Sequence, residues 1–173
     1  MKTIEQIKGT KFEIWLEKLL KEVGCQDVLR NVEFHRTRYR YRQVDLSYSY
    51  AKQGNIYRAV VEAKFSSNGK VRYALREPKS KKESKRQIEF YNLVDEVIER
   101  QRFVNAGLAL LITNHKFEKK VKKESAKYGI RIIEGKRLTE LYREQGHEGT
   151  IDQAIESIDL KTHNLDKNII YLS

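Results

Sequence analysis

A glutamate and a lysine stand two residues apart inside an otherwise apolar stretch, Val60-Val61-Glu62-Ala63-Lys64-Phe65. In a strand they project to one side while Val61, Ala63 and Phe65 face the other. Desolvating such charges costs several kcal/mol unless they are paired or hold an ion. A second acid, Asp45, lies in the preceding stretch, residues 38–50, where large and polar groups alternate at period two. Two carboxylates on adjacent strands, here Asp45 and Glu62, can bind Mg²⁺ with water completing its octahedron, and Mn²⁺ suits the same oxygens. That arrangement activates hydroxide and neutralises charge during in-line displacement at a phosphate. Lys64 beside them would orient the attacking water or stabilise the developing charge.

The acid-x-Lys spelling is not specific in so lysine-rich a chain. It recurs at Glu77/Lys79, Glu83/Lys85, Glu118/Lys120, Glu134/Lys136 and Asp159/Lys161. Glu62/Lys64 alone lies within an apolar strand preceded by another strand bearing an acid. The competing reading is an internal Glu62–Lys64 ion pair with Asp45 a strand-edge charge. Glu13 borders the apolar stripe of a helix, where its carboxylate could reach the same site or simply suit the helix dipole.

These residues need a frame. Phe12, Trp15, Leu16, Leu19, Leu20 and Val23 recur at helical spacing over residues 11–23, with Thr10 as N-cap and Gly24 as stop. Residues 27–34 read as a first strand. Residues 38–50 and 56–65 form an antiparallel pair across a turn at Gly54-Asn55. Arg36, Arg38, Arg40 and Arg42 would line one strand face, interleaved with Tyr39 and Tyr41, either gripping phosphates or forming a solvated face. A basic run follows with Lys79, Lys81, Lys82, Lys85 and Arg86, placed to grip a phosphate backbone. Residues 82–102 read as one long helix on which Gln87 and Tyr91 share a face. The apolar run 106–113 predicts the sheet's central strand. A basic helix over 117–128, a strand at 130–133 and a helix over 137–144 predict a right-handed crossover and a parallel pair. Residues 146–173 carry a further helical pattern and the apolar end Ile169-Ile170-Tyr171-Leu172, packing on the core or on a second subunit.

The bounds agree with one charge-rich α/β domain: 173 residues, 39% apolar, 34% charged, formal net charge +11. Such an excess favours a polyanionic partner, and no apolar stretch approaches the ~20 residues that span a bilayer, so nucleic acid is expected rather than membrane. The opening residues lack the apolar core of a signal peptide, which predicts a cytoplasmic protein. A single cysteine, Cys25, excludes an internal disulfide, and the four histidines show no metal-ligand spacing.

The order of these motifs resembles the PD-(D/E)xK nuclease superfamily, most closely its Mrr-like restriction endonuclease branch, from about Gly9 to Tyr142. Gly9-Thr10-Lys11-Phe12-Glu13 resembles that branch's opening helix, Gln43-Val44-Asp45-Leu46 its metal-binding strand, and Val61-Glu62-Ala63-Lys64 its Glu-x-Lys strand. Gln87-Ile88-Glu89-Phe90-Tyr91 resembles its Gln-x-x-x-Tyr helix motif. Val44 replaces the proline of the superfamily's name, and Ala63 stands where cysteine is common. The resemblance implies a restriction-endonuclease-like mixed β-sheet flanked by α-helices, with residues 1–145 as nuclease core and 146–173 as an appended helix and tail. It implies a Mg²⁺-dependent DNA endonuclease using Asp45, Glu62, Lys64, Glu13 and Gln87, with a homodimer needed to cut both strands. A structure-selective junction resolvase on the same fold, or a catalytically silent basic nucleic-acid-binding domain, are the alternatives.

Overall fold

In the computed structural model, residues 1–75 and 92–173 are described. Helix α1 (Ile4–Glu22) starts from a capping box in which Thr3 and Gln6 satisfy each other's backbone amides. Thr10, the expected cap, instead lies inside the helix and donates to the Gln6 carbonyl at 3.0 Å. The apolar stripe buries Phe12, Ile14, Trp15, Leu16, Leu19 and Leu20.

Three long strands follow, β1 (Gln26–His35), β2 (Tyr41–Lys52) and β3 (Asn55–Lys64), each antiparallel to the one before. The β2–β3 turn falls on Gln53 and Gly54, one residue earlier than the sequence suggested. Both have positive φ, 51° and 80°, the conformation a tight two-residue hairpin demands. Beyond β3 come a short β4 (Lys70–Val71) and helix α2 (Leu93–Val104). The long helix expected over 82–102 does not run unbroken. Asn92 is extended and its side chain accepts from the Asp95 amide, so the helix begins at Leu93.

Strand β5 (Leu108–Thr113) pairs parallel with β3. After β6 (Lys116–Phe117) and helix α3 (Lys119–Lys127), β7 (Arg131–Ile133) pairs parallel with β5. Helices α4 (Gly135–Glu144) and α5 (Ile151–Glu156) lead to β8 (Asn168–Tyr171), which pairs parallel with β1. The six-stranded order among the described residues is β7-β5-β3-β2-β1-β8. The centre therefore belongs to β3 and β2, which carry the candidate acids, and not to β5 as its apolar composition suggested. β5 is buried because helices cover both its faces.

Two apolar layers sandwich this sheet. Val32, Phe34, Val44, Val60 and Leu111 pack beneath α2 and α3. Phe12, Leu16, Leu46, Val61 and Ile112 pack with α1, α4 and α5. One glycine marks a close approach: a Cβ on Gly135 would collide with the Asn114 carbonyl, whereas Gly9, inside α1, has open space around it. Gly135→Ala should destabilise by about 1–3 kcal/mol, and Gly9→Ala should stabilise by about 0.5–1 kcal/mol. Urea denaturation midpoints of the two variants read both signs.

Candidate active site

Alternation along β2 changes over at Asp45. Asn31 has a left-handed φ of 54°. On either side of it Arg30 pairs with Leu46 and Val32 with Val44. Val44 packs in the layer under α2, yet Leu46, of the same parity, packs in the layer under α1. Asp45 lies at the changeover between the two layers. Its Oδ2 accepts from the Ala63 amide of β3 at 2.8 Å. The side chains of Glu13 on α1 and Glu62 on β3 both lie within hydrogen-bonding reach of it. The structure thus brings together four of the five residues expected at the site, Glu13, Asp45, Glu62 and Lys64. Gln87, the fifth, lies outside the described residues.

Burial and mutual repulsion dominate the electrostatics. Burial, then the Asp45 charge, pushes the Glu13 carboxyl up to about 8, against the pull of Arg30 and Lys64. Glu62, 7% exposed, is raised well above the usual range by burial and by Asp45. Burial also raises Asp45, although the Ala63 amide and Lys64 oppose it. Burial pulls the Lys64 ammonium down, but Glu62, Asp45 and Glu96 outweigh it and hold the group above its ordinary value. One lysine faces more carboxylates than it can neutralise, the condition under which acids hold protons at neutral pH or take up a cation. The donors are hard oxygens of the type that suits Mg²⁺ or Mn²⁺. Among the described residues no group of three or more His, Cys, Asp or Glu is arranged as a ready metal cage, so the candidate ligands remain the pair Asp45 and Glu62.

Three neighbours were not singled out from sequence. Glu96 on α2 acts on Asp45, Glu62 and Lys64 through its charge, and it pairs with Arg100 at 3.1 Å. Arg100 also donates to the Gln43 carbonyl at 3.0 Å, tying α2 to β2 two residues from Asp45. Such an i,i+4 pair is ordinary on helix surfaces, so it gave no signal. Arg30 did give one: it is a buried charge, 8% exposed, in a strand of valines and phenylalanine. It lies 3.7 Å from Glu17 and acts on Glu13 through its charge.

The arginines expected along one strand face are placed otherwise. Residues 36–40 form the β1–β2 connection, and Arg36, Arg40 and Arg42 converge on the Phe103 ring at 5.7, 5.3 and 4.7 Å. Arg36 donates twice to the Phe103 carbonyl, at 3.1 and 2.7 Å, and Arg42 pairs with Glu99 at 2.7 Å. This clamps the connection to the negative end of α2, where cations are favoured. Arg38 stands over Tyr39 in solvent at the tip. Lys81, Lys82, Lys85 and Arg86 lie outside the described residues.

Residues 4–142 match the family model for the catalytic domain of Mrr-type restriction endonucleases, described as "Restriction endonuclease". The chain belongs to the restriction endonuclease family. The match begins with the first residue of α1 and ends within α4, so it takes in all four assembled site residues. Solved structures share the fold. A protein of unknown function, AF1548, is 18% identical over 89% of this chain and 73% of its own, with a TM-score of 0.56. The DNA modification-dependent restriction endonuclease AspBHI is 16% identical over 87% of this chain and 37% of its own, with a TM-score of 0.50. No curated protein sequence matches significantly. No helix among the described residues is long and apolar enough to cross a membrane.

The raised acids fix the sign of a pH dependence. The folded chain holds a proton on Glu13 that the unfolded chain releases near the ordinary value of 4.5. The associated stability is complete below that value and is lost as pH rises to about 8. Thermal melts across this window should show wild type losing stability and Glu13→Gln losing distinctly less.

Proposed function

We propose that this chain is a Mg²⁺-dependent DNA endonuclease that hydrolyses phosphodiester bonds, with Asp45 and Glu62 as metal ligands. The observation that carries the proposal is the convergence of Asp45, Glu62, Glu13 and Lys64 at the end of the central strands in a restriction endonuclease family member. The raised acids support a cation partner, because burial and mutual repulsion, which push Asp45 and Glu62 up, are what a divalent ion would relieve. When bound, Mg²⁺ supplies charge neutralisation at the phosphate and a water of lowered pKa.

The chain's own groups account for the rest. The Ala63 amide holds the Asp45 carboxylate in one orientation, so the ligand is set before any substrate arrives. Lys64, on the same strand face as Glu62, donates toward the attacking water or the non-bridging oxygens as charge builds there. Glu13, with its pKa near 8, is placed to exchange a proton with that water near neutral pH. Gln87 would orient water or backbone. A chain with +11 formal charge is suited to DNA as the polyanion, and two copies would allow both strands of a duplex to be cut.

A silent binding domain on the same fold is the less economical reading. Nothing in backbone binding requires buried acids that repel one another and the phosphate alike. The test is cleavage of plasmid, linear duplex, four-way junction and single-stranded DNA in Mg²⁺, Mn²⁺ or EDTA. Cleavage is expected with either metal and not with EDTA. Asp45→Ala, Glu62→Ala and Lys64→Ala should each lower the rate by about 100-fold or more while DNA binding in EDTA persists. A wild type that binds every substrate and cuts none sinks the proposal, and preference for the junction would redirect it to a resolvase.

A further inference from the structure

A second feature at the same end of the sheet bears on how substrate would be held. Strands β3 and β5 finish together, with Lys64 opposite Thr113. One residue on, the buried Asn114 side chain clasps the chain leaving β3. Its Oδ1 accepts from the Ser66 amide and its Nδ2 donates to the Ser66 carbonyl, both at 2.8 Å. Asn114 also lines an open cavity of about 430 Å³, which is lined too by Lys70 of β4, Lys116 of β6, and Lys136 and Arg143 of α4. None of the three lysines pairs with a carboxylate among the described residues. Arg143 makes one long contact, to the Gly149 carbonyl at 3.4 Å.

The opposing charge there is small. Asp152 is already engaged by the Asn114 Nδ2 at 3.1 Å, and His115 Nε2 lies 3.2 Å from its other oxygen. Helix α4 opens onto the cavity and breaks a local rule. It has no side-chain cap and no acid in its first turn, where Lys136 and Arg137 stand instead. Cations at a helix N-terminus oppose the dipole. Glu134, at the cap position, turns its carboxylate away to accept from the Phe117 amide at 2.7 Å and to pair with Lys122. Four cations around one cavity with Asp152 as its single lining acid, one of them, Lys136, set against the helix dipole, are a local cost that an anion in the cavity would reverse.

We propose that this cavity is a subsite for one internal backbone phosphate of the DNA strand, beyond the scissile phosphate. The inference rests on the nuclease reading for its placement relative to the scissile bond. Two interstrand spacings put the cavity on the order of 10 Å from the Asp45–Glu62 pair, too far for the scissile phosphate itself to occupy both. Through Asn114, filling the subsite would also bear on the segment directly following Lys64.

The test is equilibrium binding of a short duplex in EDTA, by fluorescence anisotropy over a range of salt, so that no turnover is needed. Lys116→Gln/Lys136→Gln should weaken binding and reduce the slope of log K against log salt by about 0.9, the increment expected when one phosphate is no longer neutralised. Lys18→Gln/Lys52→Gln, at two exposed lysines outside the cavity, sets the effect of merely lowering net charge by the same two units. A Lys116→Gln/Lys136→Gln variant whose affinity and slope change no more than those of this control overturns the proposal. Duplexes with 5′-phosphate and 5′-hydroxyl ends should bind alike; tighter binding of the 5′-phosphate would overturn the internal-phosphate assignment in favour of an end-binding pocket. Failure of the nuclease reading would appear separately, as intact substrate in Mg²⁺ with the salt-slope difference unchanged.

Discussion

The local chemistry depends on a single carboxylate that cannot move away from its own kind. Asp45 is held against the Ala63 amide while Glu13 and Glu62 crowd it from a helix and a strand. Each acid would relax outward if it could. The packing of Phe12, Leu16, Leu46 and Val61 on one side, and of Val44 and Val60 on the other, keeps all three in place. The apolar layers thus do more than stabilise the sheet: they maintain an electrostatic strain that the hydrophobic effect outweighs.

Charges of opposite sign stand near one another at this end of the sheet. Glu13, Asp45 and Glu62 meet at one point, in a chain whose formal net charge is +11. The lysines of α3 and the cavity near α4 stand to one side, and the arginine-bearing connection clamped on Phe103 lies beyond β2 on the other. A polyanion drawn to the positive surroundings is presented to a negative centre that would repel it unless a cation intervenes. Under the function proposed above, attraction at the rim and repulsion at the centre would make chemistry conditional on the metal.

Much of this was legible in the residues. Period-two alternation and the Gly54-Asn55 turn signal marked the β2–β3 pair to within a residue, and charges within an apolar run marked Glu62 and Lys64 as unusual. From spacing alone Glu13 was visible only as a residue bordering a helix stripe, and it was the resemblance that named it. Three-dimensional proximity to Asp45 is what makes it special, and no spacing rule carries that. The break at Asn31, across from the changeover at Asp45, could not be read, because an asparagine in a strand announces nothing about its φ. The arginines misled for the opposite reason. Alternation over residues 36–42 was real, but the chain turned there, and Phe103, distant in sequence, decided where the guanidinium groups went. Glu96 escaped notice because its partner Arg100 made it look like a routine surface pair.

Strand β8 carries a consequence for the order of assembly. It pairs in parallel with β1, across nearly the whole length of the described chain, whereas β1, β2 and β3 form a local meander. Contacts between such distant segments carry the largest loop-closure cost, and so belong late in folding. The same C-terminal segment holds Arg30, through the Asn164 carbonyl and the Asn168 side chain, and Arg30 is a counter-charge to Glu13. The counter-charge to Glu13 is thus held by contacts whose loop-closure cost is among the largest in the described chain, which ties the candidate site to the tail.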